Sequence, residues 1–472
     1  MIATLRHRLK QLWLVNDRSP SPQGKYYPYQ VLLRKVKVQE LAGHWDQAED
    51  IYRRALEALG KLGDQSLLAG CRNEMGSFLQ HRGGYKEALA ISELALATFR
   101  QLEDRTGMAL ALSNLGYSHY YLGSYRESLA CFQEQLALAR ELGDRRLEAK
   151  ALNDIGDVHW DLGNYDEAMA AQRHSLEMAG DDGDPVGQLA ALFSLSNLYV
   201  SLDDLPRALE HLQWTAALAA KIGDQFRMAL AMLTTGHVHI SEGRYGLALA
   251  LLGQVESLAR QLDNRHGLAY AWTYMGKINT YTGDFSQAER QLIRALEISE
   301  EVANKRCVAM ALGALGALRL DQGELPQARD LTDRAAAMAR ELGIRQMLAE
   351  LLLRQAEISY QQADLDQARN LNREALELCQ AIGKGDLAFE CRLLEARVLS
   401  VQDRQGGLAR LEELLGQCRL DSQRAGVLYE WFKLNGDTGK KEQARRLYRA
   451  LFSQTPNLKY RSRERELSGR VE

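Results

Sequence analysis

The chain has 472 residues, of which 46% are hydrophobic, 26% are charged and only 7 are proline. This composition excludes a disordered protein and favours long helices joined by short turns. The formal net charge of −3 excludes a strong long-range attraction to nucleic acid or acidic lipid. The six cysteines lack metal-binding spacing, and we interpret them as small hydrophobic residues in a reducing compartment.

The segment of residues 1–28 is predicted to be a basic lead-in that precedes the repeats. It carries Arg6, Arg8 and Lys10 among apolar residues, but it lacks the apolar core and the small-residue cleavage site of a secretory signal. No later stretch approaches the ~20 apolar residues of a membrane span. We therefore expect a cytoplasmic protein without a membrane span.

From residue 29 onward the sequence repeats with a spacing of 40 residues (116 minus 76). One series of small residues consists of Gly76, Gly116, Gly156, Ser196, Gly236, Gly276, Gly316, Ala356 and Ala396. A second series, offset from the first by 12 residues (88 minus 76), consists of Ala48, Ala88, Ser128, Ala168, Ala208, Ala248, Ala288, Ala328 and Ala368. Units of this kind bury their apolar faces by stacking on one another, so the repeat predicts a solenoid.

Each unit is predicted to be a pair of helices. Around Gly156, the apolar residues Ile155 and Val158 lie on one side of a first helix, which we call helix A. Gly163 ends that helix, and Tyr165 opens the apolar pattern of a second one, helix B. A bulky side chain in either series of small residues would force the crossing helices apart, so packing explains both series.

The loops between units carry a glycine followed by an aspartate, as at Gly143 and Asp144. Glycine accepts the left-handed conformation that ends a helix, and aspartate accepts hydrogen bonds from the first N–H groups of the next helix. Ile344 and Lys384 stand where this aspartate is expected, and neither can cap a helix in this way. We therefore expect the C-terminal third to fray more readily, with a loss of ~1 kcal/mol at each missing cap.

The repeat pattern divides the chain into four segments. After the lead-in, nine 40-residue units are predicted for residues 29–384, and degenerate units with a cap for residues 385–456. The register slips near Gly406. Residues 457–472 are predicted to form a polar, basic tail, which we interpret as a solvated end.

The small residue in helix A, the tyrosine that follows the turn and the alanine that follows the tyrosine resemble the tetratricopeptide repeat, in its 40-residue variety. The segment of residues 112–128 is similar to repeats of the Pins-type adaptors, of kinesin light chains and of bacterial modules of the MalT type. The resemblance spans residues 29–456. It implies an all-α, right-handed superhelical solenoid of about ten to eleven antiparallel helix pairs.

The resemblance also implies which residues face a partner. In this family helix A lines the concave face, with the residues three before and one, four and five after the small position pointing inward. The resulting candidates for partner binding are Asn73, Ser77, Gln80, His81, Tyr117, Tyr120, Tyr121, Asn153, Asp157, Trp160, Asn197, His237, Lys277 and Tyr281. Aromatic rings supply rigid contact area, and asparagine amides can pair with a ligand backbone. Alternatively, Tyr120 and Trp160 merely cover the helix crossing inside their own repeats.

No catalytic, metal or cofactor site emerges from the sequence. His237 and His239 project on different sides of a helix, so they are not interpreted as a ligand pair. Residues 181–185 lack the rest of a calcium loop and are predicted to start a helix. Residues 436–441 lack the serine or threonine of a phosphate loop and are predicted to form a turn. We therefore expect no enzyme activity, no metal and no cofactor.

The predicted function is that of a non-enzymatic adaptor or scaffold that binds a peptide or helical segment of a partner protein on the concave face. The alternative is a ligand-gated regulatory or sensor subunit that controls a partner enzyme within a larger complex, such as a protease, a kinase, a phosphatase or a nucleotide-driven machine. Nucleic-acid binding is not expected, because basic residues at the two ends, such as Arg8 and Arg463, are not interleaved with a stacking surface.

Overall fold

A computed structural model of the chain describes Val36 and residues 45–469. Within this part, the regular structure consists of helices joined by short turns, which confirms the predicted all-α solenoid. The helices are α1 (Trp45–Leu62), α2 (Gln65–Arg82), α3 (Tyr85–Gln101), α4 (Arg105–Tyr121), α5 (Tyr125–Leu142), α6 (Arg145–Asp161), α7 (Tyr165–Asp181), α8 (Pro185–Ser201), α9 (Leu205–Ile222), α10 (Gln225–Ser241), α11 (Tyr245–Gln261), α12 (Arg265–Thr282), α13 (Phe285–Glu301), α14 (Lys305–Asp321), α15 (Leu325–Leu342), α16 (Arg345–Gln361), α17 (Leu365–Ala381), α18 (Gly385–Gln402), α19 (Arg404–Gln417), α20 (Asp421–Asn435), α21 (Thr438–Gln454) and α22 (Leu458–Leu467).

The even-numbered helices from α2 to α20 are the A helices of the units, and the odd-numbered helices that follow them are the B helices. Each helix packs on the helices before and after it in the chain, and neighbouring A helices also pack on each other. None of the described helices is both long and apolar enough to cross a membrane. The basic lead-in with Arg6, Arg8 and Lys10 lies outside the described residues.

The small residues lie where the helices cross, as the repeat predicts. A Cβ atom on Gly116 would overlap the ring of Phe132, and a Cβ atom on Gly276 would lie 2.5 Å from the Cγ of Leu292. The second series is fully buried, as Ala88 illustrates. Packing therefore explains both series.

Aspartate residues cap the A helices where the sequence predicts them. The side chain of Asp144 accepts hydrogen bonds from the first turn of α6, and Asp184 does the same for α8 ahead of Pro185. Ile344 and Lys384 make no such side-chain hydrogen bond. Ile344 is instead buried in a cluster with apolar residues of α5 and α6. Whether the C-terminal third frays first stays a prediction.

The superhelix is wound so tightly that its successive turns touch. The turn between helices A and B of an early unit meets the loop between two much later units, and we call each such meeting an inter-turn contact. The contacting pairs are Gly83 with Val302, Gly123 with Leu342, and Gly163 with Ile382. Both members of each pair lie one 40-residue repeat after those of the pair before (123 minus 83, 342 minus 302). The winding therefore follows the period of the repeat.

Polar groups add to the inter-turn contacts. The hydroxyl of Tyr165 donates a hydrogen bond to the side-chain oxygen of Gln346 at 3.2 Å. The guanidinium of Arg345 donates to the side-chain oxygen of Asn164 at 3.4 Å. These bonds join the first half of the solenoid to the second.

The C-terminal end differs from the predicted solvated tail. Residues 458–467 form the helix α22, in which Leu467 is buried. The side-chain amide of Asn457 donates a hydrogen bond to the hydroxyl of Tyr245 at 3.1 Å, and Leu458 packs against the turn at Gly283. The prediction was wrong because this basic segment also has apolar residues that pack, Leu458 at an inter-turn contact and Leu467 against α20.

Candidate functional site

The concave side of the superhelix encloses a cavity of about 290 Å³, which we call the central cavity. Most of its lining comes from A helices that belong to two successive turns of the superhelix. We call the part contributed by α4, α6 and α8 the first wall, and the part contributed by α10, α12, α14 and α16 the second wall. The cavity is therefore a product of the winding.

Most residues of the first wall lie near the C-terminal ends of their helices, and Phe193 lies in the middle of α8. Tyr121 follows the small residue of its helix by five positions, and Trp160 and Val200 follow theirs by four. These are two of the inward positions that the family resemblance implies. The first wall thus agrees with the concave face expected from the sequence.

The second wall consists of residues in the N-terminal halves and middles of its helices, and they recur with the 40-residue period. Three rows, four residues apart along each helix (230 minus 226), form one face. They are Phe226, His266, Arg306 and Gln346; then Leu230, Tyr270, Met310 and Glu350; then Thr234, Tyr274, Ala314 and Arg354. We did not predict these rows from the sequence, although their 40-residue spacing follows the repeat.

Side chains of the two walls meet directly at one side of the cavity. The ring of Tyr121 lies edge-on to the imidazole of His266, with ring centres 5.3 Å apart. The guanidinium of Arg306 lies 4.7 Å from the ring centre of Trp160, and it also forms an ion pair with Asp161. Trp160 is held in place because its indole N–H donates a hydrogen bond to Ser201 at 2.7 Å. These contacts make the aromatic lining rigid.

Lys277 brings a positive charge without a fixed partner into the cavity. No hydrogen bond or ion pair joins its ammonium group to the described residues, and the nearest ring, that of Tyr274, lies 5.8 Å away. Burial lowers the pKa of Lys277, and the nearby Glu350 opposes this effect. Arg354, which also lines the cavity, is anchored by a hydrogen bond to the backbone oxygen of Gly313 at 2.7 Å. The lining can therefore receive an anionic or hydrogen-bond-accepting group at Lys277.

His237 and His239, which were not interpreted as a metal-ligand pair from the sequence, lie in different surroundings. His237 faces the cavity and stacks on Tyr274 with ring centres 4.8 Å apart, and burial lowers its pKa to about 3. His239 does not line the cavity and contacts Glu242 at 3.1 Å. In the part of the chain that the structure describes, no three His, Cys, Asp or Glu side chains are close enough together to hold a metal ion.

The structure brings together six of the fourteen predicted partner-binding residues as cavity lining. They are Tyr120, Tyr121, Trp160, Asn197, His237 and Lys277. The other eight do not line the cavity: Asn73, Ser77, Gln80, His81, Tyr117, Asn153, Asp157 and Tyr281. Contact with a partner stays a prediction for both groups.

Several of the eight belong instead to a hydrogen-bonded layer between neighbouring A helices. The amide of Asn114 donates to the side-chain oxygen of Asn73 at 2.8 Å, and the amide of Gln80 donates to Ser118 at 2.8 Å. In the next helices, the hydroxyl of Tyr117 donates to Asp154 at 2.5 Å. These polar side chains satisfy one another within the wall, so their types reflect packing between repeats.

Asp157 carries the most perturbed carboxyl of this layer. Its pKa is raised to about 7, mainly by burial and also by the charge of Asp154, while hydrogen bonds from Ser194 and Gln172 oppose the increase. The amide of Gln172 donates to Asp157 at 3.0 Å. The folded protein therefore binds a proton at Asp157 at pH values where an unfolded carboxyl, with a pKa near 3.9, has lost it.

We expect the Asp157→Asn variant to lose part of the pH dependence of stability. A carboxyl whose pKa is raised in the folded state makes stability fall as pH rises from about 4 to about 7, and an amide has no such effect. Urea unfolding at about pH 5 and about pH 8 measures this difference. Equal slopes for the variant and the unaltered protein would show that Asp157 does not titrate in this range.

The repeat comparisons define the class of the protein. One tetratricopeptide repeat model matches residues 68–104, another matches residues 107–181, and a model of the MalT-like tetratricopeptide region matches residues 262–419. These matches and the stacked helix pairs define a helical-repeat protein of the tetratricopeptide type. The chain belongs to the tetratricopeptide repeat family and carries MalT-type modules in its second half. No curated protein matches it significantly in sequence.

Solved structures share the fold at low sequence identity. A Rap protein in complex with competence and sporulation factor has a TM-score of 0.57 and 15% identity, over 76% of this chain and 99% of that chain. The Rap conjugation gene regulator of the plasmid pLS20, in complex with a Phr peptide, has a TM-score of 0.52 and 11% identity, over 76% of this chain and 96% of that chain. At these identities the likeness concerns the fold alone.

Proposed function

We propose that the protein is a non-enzymatic regulator that binds a short segment of a peptide or protein partner in the central cavity. The observation that carries the proposal is the lining itself, which combines several aromatic rings with the ammonium group of Lys277, a cation that has no hydrogen-bond or ion-pair partner among the described residues. Aromatic rings with few, well-placed polar groups are typical of ligand sites. In the layer with Asn73 and Tyr117, by contrast, these two side chains bond to residues of the neighbouring A helix.

The size of the cavity favours a short segment. Its volume of about 290 Å³ is at the lower end of the range for small-ligand sites, about 300–1,000 Å³. We therefore expect the cavity to hold a few residues of the partner segment predicted from the sequence, with an acceptor group for Lys277.

The likeness to solved structures supports this proposal without establishing it. The two Rap structures are described with a factor or a peptide bound. Their fold covers about three quarters of this chain, at 76% in each case. From these structures we carry over the hypothesis that the same fold binds a peptide.

The origin of the cavity favours regulation over passive scaffolding. Its two walls belong to successive turns of the superhelix, and Trp160 of one touches Arg306 of the other. A ligand between them therefore has different contacts in a tight and in a loosened superhelix. Such a difference in affinity is what a ligand needs to shift a conformational equilibrium. We infer that the ligand controls the spacing of the turns, and through it an enzyme or other protein bound elsewhere.

The test fills the cavity without removing the contacts between its walls. Val200 lines the cavity and is half-buried, so the Val200→Trp variant should occupy ligand space. Peptides selected from a library of short random sequences should bind this variant at least tenfold more weakly, a loss of ~1.4 kcal/mol. Isothermal titration calorimetry measures the affinity. The Tyr121→Ala and Trp160→Ala changes are less informative, because both side chains also join the walls.

The matched control is Leu247→Trp, which adds the same side chain at an exposed position of α11. It should bind the selected peptides as the unaltered protein does. Unchanged affinity of the Val200→Trp variant, with its helix content intact by circular dichroism, would contradict binding in the central cavity.

A further inference from the structure

The inter-turn contacts use one apolar residue at a fixed position in the loop between units. Val302, Leu342 and Ile382 occupy this position in three successive late units and are only 5%, 3% and 4% exposed. Each is covered by the A–B turn of an earlier unit, where a glycine leaves room for it. Leu342 also packs in a cluster with Tyr125, which follows that turn. The interface is therefore a row of apolar side chains fitted into a row of turns.

The first three loops carry the same kind of residue at the same position without a cover. Leu62, Leu102 and Leu142 are separated by the same 40-residue repeat (102 minus 62), and they are 47%, 44% and 39% exposed. We call this row the leading edge. Their position in the repeat matches that of Val302 and Leu342, yet they are exposed rather than buried. Exposed apolar rows of this kind mark interaction surfaces more often than isolated exposed leucines do.

The complementary turns are uncovered at the other end of the solenoid. The A–B turns at Gly323 and Ala363 are exposed, and both have the positive φ of the covered turns, 78° and 62° against 79° at Gly123. A Cβ atom on Gly323 would meet nothing, whereas one on Gly123 would overlap Leu342. We call these turns the trailing edge. The two surfaces that meet in an inter-turn contact therefore both occur again, at opposite ends of the solenoid, without a partner in the described chain.

We propose that the leading edge of one molecule docks on the trailing edge of a second copy, so that copies join head to tail. The docked edges would continue the interface that already joins successive turns, because the same residue type and turn type meet there. Leu325 and Leu365 follow the trailing turns as Tyr125 follows the turn at Gly123, and they supply the apolar floor. The two edges differ, so the contact is heterologous and leaves one free edge at each end of a dimer.

This proposal is independent of the ligand in the central cavity. Its residues lie on the edges of the superhelix, and neither Leu102 nor Ala363 lines that cavity. Failure of one proposal therefore says nothing about the other.

Sedimentation velocity on the full chain at increasing protein concentration tests the proposal. We expect the unaltered protein to form dimers and longer species. The Leu102→Glu/Leu142→Glu variant blocks the leading edge, and the Gln322→Glu/Ala363→Glu variant blocks the trailing edge. Each should sediment as a monomer over the same concentration range. All four positions are solvent-accessible, so folding should be retained, and circular dichroism checks it.

Mixing the two variants separates a head-to-tail contact from any other. Each variant keeps the edge that the other has lost, so an equimolar mixture should form dimers and nothing larger. A mixture that stays monomeric, or variants that still associate alone, would overturn the proposal. An unaltered protein that stays monomeric at all concentrations would also overturn it. The leading edge would then be covered by the N-terminal segment before α1 or by a different protein.

Discussion

Replacing Leu342 by alanine is expected to destabilise the protein by about 2–4 kcal/mol, because it removes a buried side chain and leaves a cavity between two turns of the superhelix. Leu342 is 3% exposed and packs with Tyr125 and Ile344. The loss should also loosen the winding, since the contact holds turns that are far apart in sequence. Urea unfolding measures the stability, and small-angle X-ray scattering measures the radius of gyration.

The control for this experiment is built into the repeat. Leu142 occupies the same position in an earlier loop but is 39% exposed, so Leu142→Ala should change stability by less than about 0.5 kcal/mol. The two variants differ only in the environment of the side chain that they truncate. Similar losses for both would mean that the inter-turn contact does not contribute to stability, and an unchanged radius of gyration for Leu342→Ala would mean that it does not set the winding.

The Gly116→Ala variant is expected to lose about 1–2 kcal/mol of stability. A Cβ atom there would overlap the ring of Phe132, and overpacking of a core site costs about 1–3 kcal/mol. The gain in helix propensity from glycine to alanine, about 0.5–1 kcal/mol, offsets only part of this cost. Urea unfolding at one pH gives the difference.

Gly253 provides a matched substitution of opposite sign. It lies in the interior of α11, is exposed, and a Cβ atom on it would meet nothing. The Gly253→Ala variant should therefore be more stable by about 0.5–1 kcal/mol. If Gly116→Ala were also stabilising, the small-residue series would not be required by helix crossing.

The sequence was sufficient for the fold because each unit carries its own local signals. The small residue at Gly116 predicts the close helix crossing, and Asp144 predicts the cap of α6, and both were confirmed. These features depend on residues within one or two units. The C-terminal helix was not predicted from the sequence, because basic residues dominate the segment, although two apolar residues, Leu458 and Leu467, pack against the rest of the chain.

The central cavity could be predicted only in part, because no single repeat encodes how tightly the solenoid is wound. Trp160 could be placed on the concave face from its distance to the small residue. His266 and Arg306 line the cavity because a later turn comes close to an earlier one, and the sequence does not state that distance. Leu142 and Leu342 show the same limit, since one position in the repeat is exposed and the other is buried.

The aromatic contacts of Tyr121 also determine how the contact between the two walls depends on pH. Tyr121 stacks on Tyr85 with ring centres 4.6 Å apart and touches His266 at its edge. The imidazole has its pKa lowered to about 4 by burial, so it is neutral near pH 7. The ring contact between Tyr121 and His266 is therefore not expected to change charge near pH 7, and under our proposal a ligand, rather than protonation of His266, is the signal at this contact.

The inter-turn contacts also bear on how the solenoid unfolds. In an ordinary repeat array each unit touches only its neighbours, so the ends can melt while the middle stays folded. Here Gly83 and Val302, or Gly163 and Ile382, join units that are 219 residues apart (302 minus 83, 382 minus 163). Melting of the late units would uncover the early ones, so we expect both halves to gain or lose order together. A single cooperative unfolding transition would then arise from a chain of modular units.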